Sequence, residues 1–143
     1  LHADRVATSV ERSVALFGKK AESLNMLRRL AEECAQADWD GYGAAPVNPV
    51  AVKRADDFIR SLPDQHPVPE VSVEPDGCIS LDWIPNRTQT FTVSIGETDR
   101  IPFAWVDGTN RGHAVARSFD GDVPRHVLNG LLMMDNDAAI RPA

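Results

Sequence analysis

Apolar and polar residues alternate most regularly across Val71-Ser-Val-Glu-Pro-Asp-Gly-Cys-Ile-Ser-Leu-Asp-Trp83. Val71 and Val73 share one face, and Ile79, Leu81 and Trp83 continue it, while Ser72, Glu74, Ser80 and Asp82 take the other. Period-two alternation predicts two strands, each with one buried and one wet face. Between them, Pro75 presets φ, Asp76 can bond its own backbone, and Gly77 supplies the positive φ that returns the chain to the ladder. The pattern repeats downstream. Phe91, Val93 and Ile95 point inward in a strand over 90–95, and Ile101, Phe103 and Trp105 do so over 101–106. A turn at Pro85-Asn86-Arg87 and another across 96–100 are short enough to imply antiparallel neighbours. Residues 71–106 therefore read as a four-stranded meander, with a fifth strand expected around 114–117.

Helical periodicity governs the two ends. Residues 5–37 contain no proline, and Val10, Val14, Phe17, Ala21, Leu24 and Ala31 follow a four-three repeat that Arg28 interrupts. The apolar face is a narrow seam at first and widens from Leu24 as Leu27, Leu30, Cys34 and Ala35 join it. Gly18 predicts either a joint between two helices or one long helix whose front half needs a partner. Asn48 caps a second helix with Pro49 in its first turn, Ala51, Ala55, Phe58, Ile59 and Leu62 form its core face, and Pro63 ends it. Asp122 and Pro124 open a third, with Val127, Leu128, Leu131 and Leu132 apolar. The fold class expected is α+β: an antiparallel four- to five-stranded meander covered by N-terminal, middle and C-terminal helices in a two-layer sandwich. The chain reads as a single domain over 1–143. Within it, 1–37 is a helical region suited to assembly, 38–134 the α+β core and 135–143 a polar tail.

Composition changes this picture little. A chain of 143 residues, 43% hydrophobic and 25% charged, can build a core without metal or disulfide staples. Charge is uneven: residues 1–60 hold nine Lys/Arg against nine Asp/Glu, and 61–143 hold six Arg against twelve acids, so the net −6 lies in the later part. Such a surface repels phosphate backbones and argues against nucleic acid as a partner. No apolar run approaches the ~18 residues of a membrane span. Cys34 and Cys78 follow no metal or redox spacing, and reduced cysteines suit a cytoplasmic location.

Few residues stand at spacings that carry chemistry. His2, His66, His113 and His126 lack the i, i+3 or i, i+4 partners of a metal site and read as solvent-facing or locally bonded. No nucleophile elbow, phosphate cradle or cofactor motif is present, so neither metal nor cofactor is expected. Lys19, Lys20, Arg28 and Arg29 read as a solvated helix face. Three-dimensional proximity could still gather Asp40, Asp82 and His113 into a carboxylate-dependent hydrolase, the enzymatic alternative. The loop Trp39-Asp-Gly-Tyr-Gly43 admits two readings. In one, Trp39 and Tyr42 plug an edge of the core and Asp40 bonds the loop backbone. In the other, Trp39, Asp40 and Tyr42 form a recognition loop.

The segments Trp39-Asp-Gly-Tyr-Gly-Ala-Ala-Pro46 and Pro75-Asp-Gly-Cys-Ile-Ser-Leu-Asp-Trp83 resemble those of a family of small uncharacterised bacterial proteins of the mobile gene pool. These share a W-D-G-Y-G-A-x-P loop and a P-D-G-x-I-x-L-x-W hairpin. The likeness spans roughly residues 38–132, implies the same α+β fold, and brings no activity, cofactor or catalytic residue. The function expected is a small non-catalytic binding module with a protein or small-molecule partner, and an antitoxin-like regulator is a further alternative. A homodimer is expected through Val10, Val14, Phe17 and Ala21, whose spacing suits helix-on-helix packing.

Overall fold

A computed structural model describes residues 2–64, 66–116, 123–125 and 127–131, with side chains from Gly18 onward. The order is α1 (His2–Glu33), α2 (Pro49–Ser61), β1 (Glu70–Val73), β2 (Ile79–Asn86), β3 (Gln89–Ile95), β4 (Ile101–Asp107) and β5 (Asn110–Ala116). A further helical stretch covers 127–131, where Val127 and Leu128 donate their amides to the Pro124 carbonyl. The fold is α+β, with an open antiparallel sheet in the order β1-β2-β3-β4-β5. No helix among the described residues is long and apolar enough to cross a membrane.

The first hairpin forms as its turn chemistry requires. Glu74 N–H donates to the Cys78 carbonyl and Gly77 N–H to the Glu74 carbonyl, while Asp76 Oδ1 accepts from Cys78 N–H. Gly77 has φ +91°, the left-handed conformation expected of it. The three-residue turn fixes the register Val73↔Ile79, Val71↔Leu81 and Glu70↔Asp82. On the apolar face, Ile79, Leu81, Val93, Ile95 and Ile101 are fully buried, and each contributes roughly 1.5–3 kcal/mol. The rings of Phe58, Trp83, Phe91, Phe103 and Trp105 follow one another with centroids 5.7–6.4 Å apart, running from α2 across β2, β3 and β4. Val71, Val73 and Trp105, expected to be buried, are only half-buried.

Asn48 Oδ1 accepts from Val50 and Ala51 N–H, and Pro49 follows at the first helical position, which starts α2 as predicted. Its buried Ala51, Ala55, Phe58 and Ile59 face β2 and β3. α1 is one continuous helix, so Gly18 marks no joint; the helix stops at Glu33, short of the predicted 37, and packs against α2 and β1. Ser23 Oγ bonds the Pro69 carbonyl inside the core. Lys20 differs from the expected solvated cation. Its ammonium donates to the Leu62 carbonyl at 2.6 Å and lies 3.4 Å from Asp64, neutralising carbonyls exposed at the end of α2.

Two strand boundaries also differ. β2 runs on through Pro85 to Asn86, with a register shift between Trp83 and Asn86 that accommodates a proline unable to donate to the ladder. The turn is therefore Arg87-Thr88. β5 begins at Asn110 rather than near 114, paired Asp107↔Asn110 across Gly108-Thr109. Its polar alternation hid it, because it is an edge strand with most residues exposed. Gly112 sits opposite Trp105, where any Cβ would overlap the indole, so the ring lies over the glycine. The side chains of Val10, Val14 and Phe17, the cap at Asp122, Leu132 and the tail 135–143 lie outside the described residues.

Candidate functional site

The loop after α1 is built by its own polar side chains. Asp38, at φ +62°, accepts from Gly43 N–H through Oδ1 at 2.6 Å, and its amide bonds the Ala44 carbonyl at 2.8 Å. Asp40 Oδ1 accepts from both Tyr42 and Ala44 N–H, at 2.9 and 3.1 Å. Gly41 and Gly43 take φ +78° and +82° with open space around them, so they are needed for backbone conformation and not for room. Two carboxylates thus organise a short peptide ring by charge-assisted bonds, each stronger than a neutral one.

The two aromatic residues part company. Trp39 donates Nε1–H to the Ala45 carbonyl at 2.8 Å and packs against the core, as the structural reading expects. Tyr42 does not plug the core: it is 93% exposed, the most exposed large hydrophobic side chain among the described residues. One aromatic anchors the loop, and the other is presented to solvent.

This loop is also fastened to the first hairpin. Ala45 N–H donates to the Pro75 carbonyl at 2.8 Å and Asn48 N–H to the Gly77 carbonyl at 2.9 Å. A Cβ on Gly77 would lie 2.6 Å from the Pro46 carbonyl oxygen. The two sequence motifs, thirty residues apart, form one structural unit.

Beside that junction, donor atoms of Glu74, Asp76 and Cys78 lie within 4.8 Å of one another. Burial pushes the Glu74 carboxyl up, the Ser94 hydroxyl draws it back, and the charges of Asp76 and Asp82 raise it again. Burial raises the Cys78 thiol to about 11, helped by a hydrogen bond to Asp76 and the negative charges of Asp76, Glu74 and Glu97. The two carboxylates could serve a hard divalent cation. Cysteine ligates a metal as the thiolate, and burial together with the surrounding carboxylates works against that form at Cys78. The trio carries a local signal, since a three-residue turn over 75–77 sets Glu74 beside Cys78 with Asp76 between them.

Asp82 and His113 stand apart on the sheet, and Asp40 lies in the loop after α1. Register puts Asp82 opposite Thr92, Thr92 opposite Ala104, and Ala104 opposite His113. Asp82 and His113 share one row of the polar face but stand three strand spacings apart, about 14 Å. Asp82 is occupied by hydroxyls, accepting from Thr92 at 2.7 Å and Ser80 at 3.3 Å. Asp40 bonds its own loop. His66, expected at the surface or locally bonded, is buried, and its Nδ1 finds no partner among the described residues.

A groove of about 220 Å³ opens at the other end of the β1–β2 hairpin, lined by Pro67, Trp83, Ile84 and Leu131 together with Glu70 and Asp82. Comparison with protein families, curated proteins and solved structures returned no match to this chain.

Proposed function

We propose that the chain is a small non-catalytic interaction module whose recognition surface is the Trp39–Tyr42 loop. The carrying observation is the 93% exposure of Tyr42 on a loop whose backbone amides are already bonded. A tyrosine presented this way brings large amphipathic contact area at little conformational cost, which is why aromatic anchors dominate interface energetics. Trp39 is the internal anchor and Asp40 the strut. The helices form one layer over the apolar face of the sheet in this reading, and the module works in the cytoplasm. Its membership of the mobile-gene-pool family rests on the loop and hairpin motifs. Amide hydrogen exchange tests the preformed state. The Tyr42, Gly43, Ala44 and Ala45 amides should exchange at least about 100-fold more slowly than in an unstructured chain. Exchange at the unstructured rate would remove the preorganisation on which the reading depends.

The seam Val10, Val14, Phe17 and Ala21 takes the same segment of a second copy as its partner. Its observation is the unbroken run of α1 from His2, which carries helical backbone through the whole seam. Sedimentation of the full chain should give a dimer, and a monomer at high concentration would end this proposal.

A further inference from the structure

We propose that the groove beside Glu70 and Asp82 receives an arginine side chain from a protein partner. The groove lies at the end of the β1–β2 hairpin away from the Tyr42 loop, so this proposal stands independently of that surface. β1 begins at Glu70, opposite Asp82, while β2 continues to Asn86, and the overhang from Trp83 leaves a recess beside the hairpin. Its floor and walls are largely apolar. Trp83 is held there by Nε1–H donation to the Pro67 carbonyl at 2.8 Å, Ile84 is 56% exposed, and Leu131 adds to the apolar lining.

Two features select the occupant. The first is charge. Glu70 and Asp82 are direct cross-strand partners, an arrangement in which like charges repel. Among the described residues neither carboxylate is ion-paired, and the Glu70 side chain makes no hydrogen bond. Asp82 takes Thr92 and Ser80 through Oδ1 and a longer Ser80 contact of 3.4 Å through Oδ2, leaving acceptor capacity on that oxygen. A cation between the two carboxylates converts a repulsive pair into two attractive ones. The second is size. At about 220 Å³ the groove falls below the roughly 300–1,000 Å³ of sites that engulf whole small ligands, and matches one long side chain. Arginine fits both requirements: its alkyl stem lies on apolar walls, and its planar fork of five donors can reach two carboxylates at once. Lysine offers a compact, strongly hydrated charge less suited to an apolar recess.

N-acetyl-arginine methylamide, with its neutral isostere N-acetyl-citrulline methylamide, tests this on the full chain by NMR. The arginine probe should give saturable shifts at Glu70, the Trp83 indole N–H and Leu131, with a dissociation constant of order millimolar. Citrulline should bind about tenfold more weakly or worse, since it keeps the shape and loses the charge. Glu70→Gln, at an exposed position, should reduce arginine binding about fivefold or more with the unfolding midpoint unchanged. Asp82→Asn should reduce it as well, with its midpoint measured alongside because Thr92 bonds this carboxylate. Equal shifts from arginine and citrulline, or no saturable shift at these residues, would overturn the proposal.

Discussion

Replacing Gly77 by alanine should destabilise the fold by about 2–5 kcal/mol, from two separable causes. Gly77 has φ +91°, and placing an L-residue in the left-handed region costs about 1–2 kcal/mol. The new Cβ would also stand 2.6 Å from the Pro46 carbonyl oxygen. That oxygen cannot easily retreat, because bonds from Ala45 to Pro75 and from Asn48 to Gly77 flank it. Forced overpacking adds about 1–3 kcal/mol. Gly43→Ala separates the two causes: Gly43 has φ +82° but nothing within 4 Å of a Cβ, so only the conformational cost of about 1–2 kcal/mol applies. Urea unfolding should show both midpoints lowered at a common m-value, with Gly77→Ala lower by the larger margin. Equal losses would mean that the loop does not press on the hairpin.

This contact gives specific residue requirements to a loop and a turn that have no helical or strand periodicity. The loop over 38–44 needs Asp38 and Asp40 to hold the ring and its two glycines to turn it. The P-D-G turn needs Gly77 for its own conformation and, separately, for the approach of Pro46. One residue satisfies both.

The first hairpin was legible because alternation and turn chemistry agree there, and α2 because Asn48, Pro49 and Pro63 mark both ends. β5 was not, since Arg111, Gly112 and His113 carry no apolar alternation and the strand is identified by pairing with β4. Trp39 and Tyr42 are chemically similar and three residues apart, and the left-handed conformations of Asp38, Gly41 and Gly43 around them are not visible as periodicity, so the sequence does not say which faces the core and which water. Lys20 looked like any surface lysine until α2 ended beside it. The Glu70–Asp82 pair had a usable signal: a three-residue turn over 75–77 pairs 74 with 78, and counting outward sets 70 against 82. Asp82 and His113 could not be placed in one row until the pairing of β2 through β5 was known.

The central claim is that Tyr42 is displayed for a partner and serves no packing purpose. Its most direct test compares wild type with Tyr42→Ala in stability and in binding. A protein retained from the source cells by the immobilised wild-type chain is purified and titrated against both. At 93% exposure the ring buries almost nothing, so the stability change should stay within about 0.5 kcal/mol. A displayed aromatic anchor contributes about 2 kcal/mol or more to binding, so the partner's affinity should fall about 30-fold or further. An unchanged midpoint with that loss of affinity is the predicted result. Equal affinity for the two chains, or a large loss of stability without loss of binding, would contradict the account.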